Sequence, residues 1–295
     1  MGYLFCCIAL FAGATKGYCG KRMSNVATNT TAASLLNLVR MALCVVLGVL
    51  LILVQNHMQF FTISPKVLWI SALSGITTSV FVVTWLICVR YSAYMMLDVF
   101  LMLGTLVPML LGRAIFNETI RLNQWIGFIV LVIATIIMVS YNNKIKNKLN
   151  FSSFILLVIC GVSNGLTSFS QKSFVKMLPE IPISIFNFYT YLFAAITLFI
   201  FILFMSKKEK PEFSEGSKNK FFYVIIMAIA LTINTYFSTM AAIHLDSAIL
   251  YPLNHGSALI IASFMSVVFY KEKLTTNAII GIILSFVGLL IMNVL

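Results

Sequence analysis

Charge is what this 295-residue sequence has least of. Lys, Arg, Asp and Glu make up 9% of it, against the roughly 25% usual in soluble domains. With 61% hydrophobic residues, 25 of them Phe, the chain has too little polar surface to cover a water-facing globule. A soluble enzyme, a disordered chain and a disulfide-rich secreted domain are excluded on that ground. There are only three histidines and eight acids. The six cysteines, Cys6, Cys7, Cys19, Cys44, Cys88 and Cys160, show neither CxxC spacing nor a nearby histidine. No metal site is expected from them, and they read as small packing residues. No phosphate-cradling G-x-x-x-x-G-K-[ST] loop occurs, which leaves direct ATP drive without support, and no cofactor is expected.

What the chain does have is long apolar runs, and the fold class they predict is an all-α polytopic membrane protein. A spanning helix uses about 20 apolar residues. Runs at 2–20, 32–54, 67–88, 92–113, 123–141, 151–173, 182–206, 220–241, 247–269 and 276–294 predict ten helices. The longest connector, 207–220, is rich in Lys, Glu, Pro, Ser and Gly and reads as a solvated loop. The first run lacks a basic segment before it, so it reads as a helix rather than a signal peptide. The net charge of +12 sits between the runs, in clusters such as Lys144, Lys146 and Lys148. That distribution sets membrane orientation and offers no basic face with interleaved aromatics, so nucleic acid is excluded as a partner.

The sequence repeats. Moved 154 residues along, the segment 92–141 lies on 246–295, with Glu118 on Glu272, Asn123 on Asn277, Gly127 on Gly281 and Met138 on Met292. Slightly smaller offsets pair Gly13-x-x-x-Gly17 with Gly161-x-x-x-Gly165, and Asn37 with Asn187. Small residues four apart let helix backbones approach, so each half is expected to begin with a tightly packed helix. The expected organisation is a first five-helix repeat at 1–141, a linker at 142–150 and a second five-helix repeat at 151–295. Five spans per half is odd, so the second half enters the membrane in the opposite sense. Such inverted repeats are a transporter architecture with the solute near the midplane.

Pro108, Asn117-Glu118-Thr119-Ile120 and Gln124-Trp125-Ile126-Gly127 in the first half, with Glu272, Leu274 and Gly281 in the second, carry a family resemblance. The chain resembles the EamA-type ten-helix members of the drug/metabolite transporter (DMT) superfamily, and Arg40 also matches a common position of that family. In one place it departs from the pattern. Ala262 stands where a proline is expected ten residues before Glu272, and Pro252 lies ten residues earlier, so a kink in the ninth helix is in question. The resemblance implies secondary transport, usually export, of small metabolites or drugs through a central cavity, and not an enzyme. The expected location is multi-pass in a bacterial plasma membrane. The expected partners are a small-molecule substrate, the lipid bilayer and protons, with monomer or dimer left open.

Orientation is contested within the sequence. Odd-numbered connectors hold fourteen basic residues, Lys16, Lys21, Arg22, Arg90 and Lys207 among them, against five in even-numbered ones, which include Lys172 and Lys176. The rule that basic loops stay cytoplasmic places both termini outside, whereas the resemblance implies inside. Both readings put the two termini on one side.

Polar groups within the spans are the functional candidates, because charge at mid-bilayer is costly. Asp98 is the one acid placed inside a span, and its matched helix carries Asn254 and His255. A protonatable Asp98, paired with His255 or Arg40, would couple solute movement to protons; a structural ion pair is the plainer alternative. Polar stripes run along the third helix (Ser74, Thr77, Thr78, Thr84, Trp85) and the eighth (Thr232, Asn234, Thr235, Ser238, Thr239). They face protein or a wet cavity, or their hydroxyls bond back to their own helix. Asn164, Asn187 and Asn234 carry amides with more positions to satisfy. Trp85, Tyr94 and Tyr251 offer stacking surface, with an interfacial aromatic belt as the alternative for the first two. The expected substrate-binding set is Trp85, Tyr94, Asp98, Asn164, Asn234, Tyr251, Asn254 and His255, and no catalytic residue is expected. A channel is one alternative. A serine hydrolase built on Gly161-Val162-Ser163-Asn164-Gly165 is another, but that motif requires a strained strand-to-helix turn.

Overall fold

The structure is a computed structural model that describes residues 1–61, 64–91, 94–145, 151–214, 221–270 and 276–294. Some side chains within its helices, those of Arg90, Tyr94, Asp98 and Ala262 among them, lie outside the described residues, as does Glu272. Among the described residues the fold is all-helical. The helices in chain order are α1 (Gly2–Ser24), α2 (Thr30–Val54), α3 (Pro65–Tyr91), α4 (Tyr94–Gly104), α5 (Leu106–Phe116) and α6 (Leu122–Ile145). They continue with α7 (Phe151–Met177), α8 (Ile183–Met205), α9 (Phe222–His244), α10 (Ser247–Tyr270) and α11 (Thr276–Val294). Six of them, α1, α2, α3, α7, α8 and α9, are long and apolar enough to cross a membrane. Shorter apolar stretches lie at Phe100–Phe116, Leu122–Ala134 and Ile279–Met292.

The expected span at 92–113 is two helices. Proline has no N–H to donate and its ring crowds the carbonyl four residues back, which for Pro108 is Gly104. The α-helical ladder stops at Gly104, and Thr105 bonds tightly backward instead, its N–H and its Oγ1 both reaching Met102 O at 3.0 and 2.7 Å. A new helix starts at Leu106 and places Pro108 in its first turn, where an amide hydrogen has no intrahelical partner in any case. By contrast α10 runs unbroken through position 262, where alanine supplies the N–H, and it also carries Pro252 internally.

Local signals set several other boundaries. Asn29 caps α2, its side chain accepting from Ala32 N at 2.8 Å. Pro65 opens α3 at the position proline suits best. Asn117 ends α5 in the left-handed region at φ 54°, a conformation asparagine tolerates better than most residues.

The helices pack in reciprocal pairs. α1 lies along α9 as α3 lies along α7, α2 meets α9 as α8 meets α3, and α2 with α8 and α6 with α11 pair directly. At one end of the bundle Gln55 Nε2 donates to Tyr236 Oη at 2.9 Å, and His57 Nδ1 lies 3.0 Å from Ser184 Oγ. Gly2 faces His244 and Leu245 there, while Asn123 Nδ2 donates to Ile291 O near the other terminus. Both described chain ends therefore share an end of the bundle. At the opposite end the connector 25–29 is strapped to 210–214 by Thr28 N to Glu212 O at 3.1 Å, Asn29 Nδ2 to Lys210 O at 2.6 Å and Ser214 N to Val26 O at 3.0 Å. The largest apolar core joins α1, α2, α3, α7, α8 and α9 through residues such as Met41, Phe81, Leu157, Tyr191 and Leu231. Around the perimeter large apolar side chains are exposed, Trp69, Leu50, Phe204, Ile133 and Phe286 among them, which suits a lipid solvent and not water.

Candidate functional site: a polar cavity between helices from both halves of the chain

A cavity of about 130 Å³ lies among α1, α3, α4, α7, α9 and α10. Its apolar wall is built from Leu10, Phe81, Val82, Leu101, Leu231 and Ile261. Its polar groups are Lys16, Thr78, Asn164, Thr167, Ser168, Gln171, Asn234, Thr235, Ser238, Asn254 and His255. Trp85 presents its ring to this space and is only 7% exposed, so it is an interior residue and not part of an interfacial belt.

Glycines make room for it. The expectation that both Gly-x-x-x-Gly pairs press helices together holds for only one of them. In α7 a Cβ on Gly161 would stand 2.3 Å from Phe100 O, and one on Gly165 would stand 2.3 Å from Gly104 O. These glycines therefore seat α7 directly on the α4 backbone. In α1, Gly13 and Gly17 line the cavity, and the nearest neighbour of a Cβ on Gly13 is the Asn234 amide at 3.2 Å. Here the missing side chains leave space for a solute.

The amides are held in place. Asn234 Nδ2 donates to Ala9 O at 2.7 Å, which ties α9 to α1. Asn164 Nδ2 donates to His255 Nε2 at 3.0 Å, which joins α7 to α10 and leaves the histidine its other ring nitrogen as donor. The hydroxyl stripes largely bond back: Thr84 to Val80 O at 2.7 Å, Thr232 to Ala228 O at 3.0 Å and Thr239 to Thr235 O at 2.7 Å. Three reach across helices as well, Thr77 and Thr78 to Thr167 at 3.0 and 3.4 Å and Thr235 to Tyr191. Asn37 secures α2 to α3 through Val82 O at 3.2 Å, whereas its repeat mate Asn187 buries an amide nitrogen without a partner.

Of the eight expected site residues, Trp85, Asn164, Asn234, Asn254 and His255 meet at the cavity. Tyr251 is fully buried behind it and donates to Ser168 O at 2.6 Å, so it positions α7 and does not form part of the wall. The side chains of Tyr94 and Asp98 lie outside the described residues. Ser163 sits mid-helix in unbroken α7 and is buried, with no strand-to-helix turn to expose it, which removes the geometry a nucleophilic serine needs.

Two lysines assigned to connectors are inside the bundle. Lys16 is in α1 and faces the cavity. The register of the glycine repeat held that signal, since laying Gly13 and Gly17 on Gly161 and Gly165 also lays Lys16 on Asn164. Lys172 is in α7 and pairs with Glu118 at 3.0 Å, the two side chains being 1% and 3% exposed. Lys172 Nζ also donates to Ala242 O at 3.0 Å and Leu245 O at 2.6 Å. Glu118 accepts from Ser247 N at 2.9 Å at the start of α10, where the helix dipole favours a carboxylate. Gly112 makes the room, because a Cβ there would stand 2.8 Å from Glu118 Oε2. The left-handed turn at Asn117 directs Glu118 inward, so a connector acid becomes a buried latch joining the α5–α6 turn, α7 and α10. No group of His, Cys, Asp and Glu able to hold a metal occurs among the described residues.

A bundle of apolar helices around a small polar cavity suits a protein set in a bilayer. Residues 151–294 match the model of the EamA-like transporter family, part of the DMT superfamily. That segment is similar to a family of membrane transporters, and the match together with the long apolar helices supports an integral multi-pass membrane protein. Among solved structures 28 chains match. One of them, described only as a crystal structure of a protein, is 16% identical with a TM-score of 0.72 and covers 97% of this chain and 96% of that one, which shows a shared fold. No curated protein matches the sequence.

Proposed function

We propose that the protein is a secondary transporter that moves a small metabolite, amino acid or drug-like solute by alternating access. The reading includes export from a bacterial plasma membrane, with coupling to protons. The observation that carries it is the cavity: α1, α3 and α4 from before residue 142 and α7, α9 and α10 from after it surround one polar space. The reciprocal packing of helices is what two five-helix repeats of opposite sense would produce, with the solute between them. Trp85, Asn164, Asn234, Asn254 and His255 are the proposed solute contacts, and Tyr94 and Asp98 on α4 complete the set, Asp98 as the proton carrier. The buried Glu118–Lys172 pair favours a carrier over a channel, because a permanent pore has no use for an ion pair that locks helices together at one end.

The test is counterflow in liposomes that hold the purified protein and an internal pool of candidate metabolites, amino acids and drugs. A carrier gives saturable uptake that an unlabelled internal solute accelerates, and Asn164→Ala lowers it. Flux that rises linearly with concentration, without acceleration by internal solute, would point to a channel. In the same vesicles Asp98→Asn is expected to lose gradient-driven transport and to keep exchange.

A further inference from the structure

We propose that Arg40 and Lys16 form an anion-binding chamber beside the main cavity, and that the carried solute places a carboxylate or similar small anionic group in it. The inference rests on the carrier reading and deepens it by naming the substrate class. The chamber measures about 10 Å³ and is lined by Lys16, Arg40, Phe81, Val82, Trp85 and Leu231. Every one of these except Arg40 also lines the main cavity, so the two spaces adjoin. The smaller has about the room one water oxygen needs, which also suits the tip of a carboxylate.

Arg40 carries the argument. It is the eleventh residue of α2, is 3% exposed, and its Nε has no hydrogen-bond partner. None of the described residues lining either space is acidic. A guanidinium held that deep in a membrane-spanning helix is costly unless an anion or several acceptors meet it. Arginine is also the side chain whose planar fork best matches a carboxylate. Packing alone gives no reason for a guanidinium here, since apart from Lys16, a second cation, the rest of the wall is apolar or aromatic. Trp85 and Phe81 stand where the two spaces meet, so an apolar or aromatic body would rest in the main cavity while its anionic end enters the chamber. A free halide shares this chemistry and is separated from an organic carboxylate in the test.

The full chain in detergent, carrying Trp69→Phe and Trp125→Phe, leaves Trp85 as the sole tryptophan reporter. Acetate, phenylacetate and indole-3-acetate are titrated beside their neutral amides while Trp85 emission and melting temperature are followed. At least one carboxylate is expected to bind saturably, with its amide weaker by about tenfold or more, and Arg40→Gln should remove that preference. Arg40→Lys should keep part of it, because it retains charge without the fork. If Arg40→Gln does not fold, the comparison of acid with amide on the unsubstituted chamber decides. Equal binding of acids and amides, or an acid preference that survives Arg40→Gln, overturns the proposal. Chloride competing with the carboxylates supports it, whereas chloride binding without any carboxylate competition overturns the solute assignment. Counterflow of neutral or cationic solutes that no carboxylate inhibits overturns this inference and leaves the carrier reading intact. Carboxylate binding without transport of any solute does the reverse.

Discussion

The helices α4–α5 and α10 occupy matching places in the sequence repeat, yet α4–α5 is broken at Thr105 and α10 is continuous. The same contrast runs through the helices that open each half. α7 uses its glycine pair to sit on the α4 backbone, whereas α1 turns its pair toward the cavity wall and the Asn234 amide. One half is closed by backbone contact and the other is relieved to make a cavity. The lesson is that a repeated pattern of small residues specifies that a helix face is thin, but what fills the thin face depends on the partner. Opposite Gly161 lies the Phe100–Gly104 backbone, which comes within touching distance, while opposite Gly13 lies the amide of Asn234. The buried latch is similarly local. It depends on Lys172 in α7, and the first half offers no lysine at the same register of α1.

Four substitutions sharpen this contrast. The largest expected effect is from Lys172→Met, which strands Glu118 as a buried charge and should cost about 3–5 kcal/mol. Chemical unfolding in detergent measures it, and adding Glu118→Gln to the same chain should recover much of the loss. If the single variant is as stable as the original, the latch is not a source of stability. Next, Ala262→Pro puts into α10 the residue that breaks α4–α5, and should cost about 3 kcal/mol. Loss of helical signal together with lowered melting supports that account, and an unchanged melting temperature would show that α10 is already distorted there. The smallest effects come from paired glycine substitutions. Gly104→Ala drives a methyl to 2.2 Å from Gly161 O and should cost about 1–3 kcal/mol. Gly13→Ala brings a methyl to 3.2 Å from the Asn234 amide, which has to give by only a few tenths of an ångström on its bond to Ala9 O, and it gains helix propensity, so it should stay within about 1 kcal/mol of the original. Equal losses at the two sites would mean that α1 and α7 pack alike.

Much of the architecture was legible from the chain. The apolar runs located the helices to within a few residues, because a lipid-facing helix must be apolar along its whole length and loops need not be. The break at Thr105 was not legible, since proline is tolerated in many spanning helices and only its register against Gly104 and Thr105 turned it into two helices. Five of the eight expected site residues line one cavity because tryptophan is rare in the chain and amides set within its apolar runs stand out from them. Lys16 and Lys172 lie inside the runs 2–20 and 151–173 yet count with the connector charges when basic residues are tallied, and Glu118 reads as part of a polar turn. That Lys16 faces a cavity and that Lys172 and Glu118 pair depends on helix packing.

The sequence by itself determined the solvent of this protein, its all-helical class and the short list of polar groups that must lie inside. These follow from composition and spacing, which act locally along a helix. Only the tertiary structure decided which glycines close a contact and which leave a cavity, that Lys172 and Glu118 neutralise each other, and that Arg40 and Lys16 share a chamber. Those outcomes depend on which helix faces which, and burial makes an ion pair or an unbonded guanidinium nitrogen such as Arg40 Nε matter far more than the same groups would at the surface.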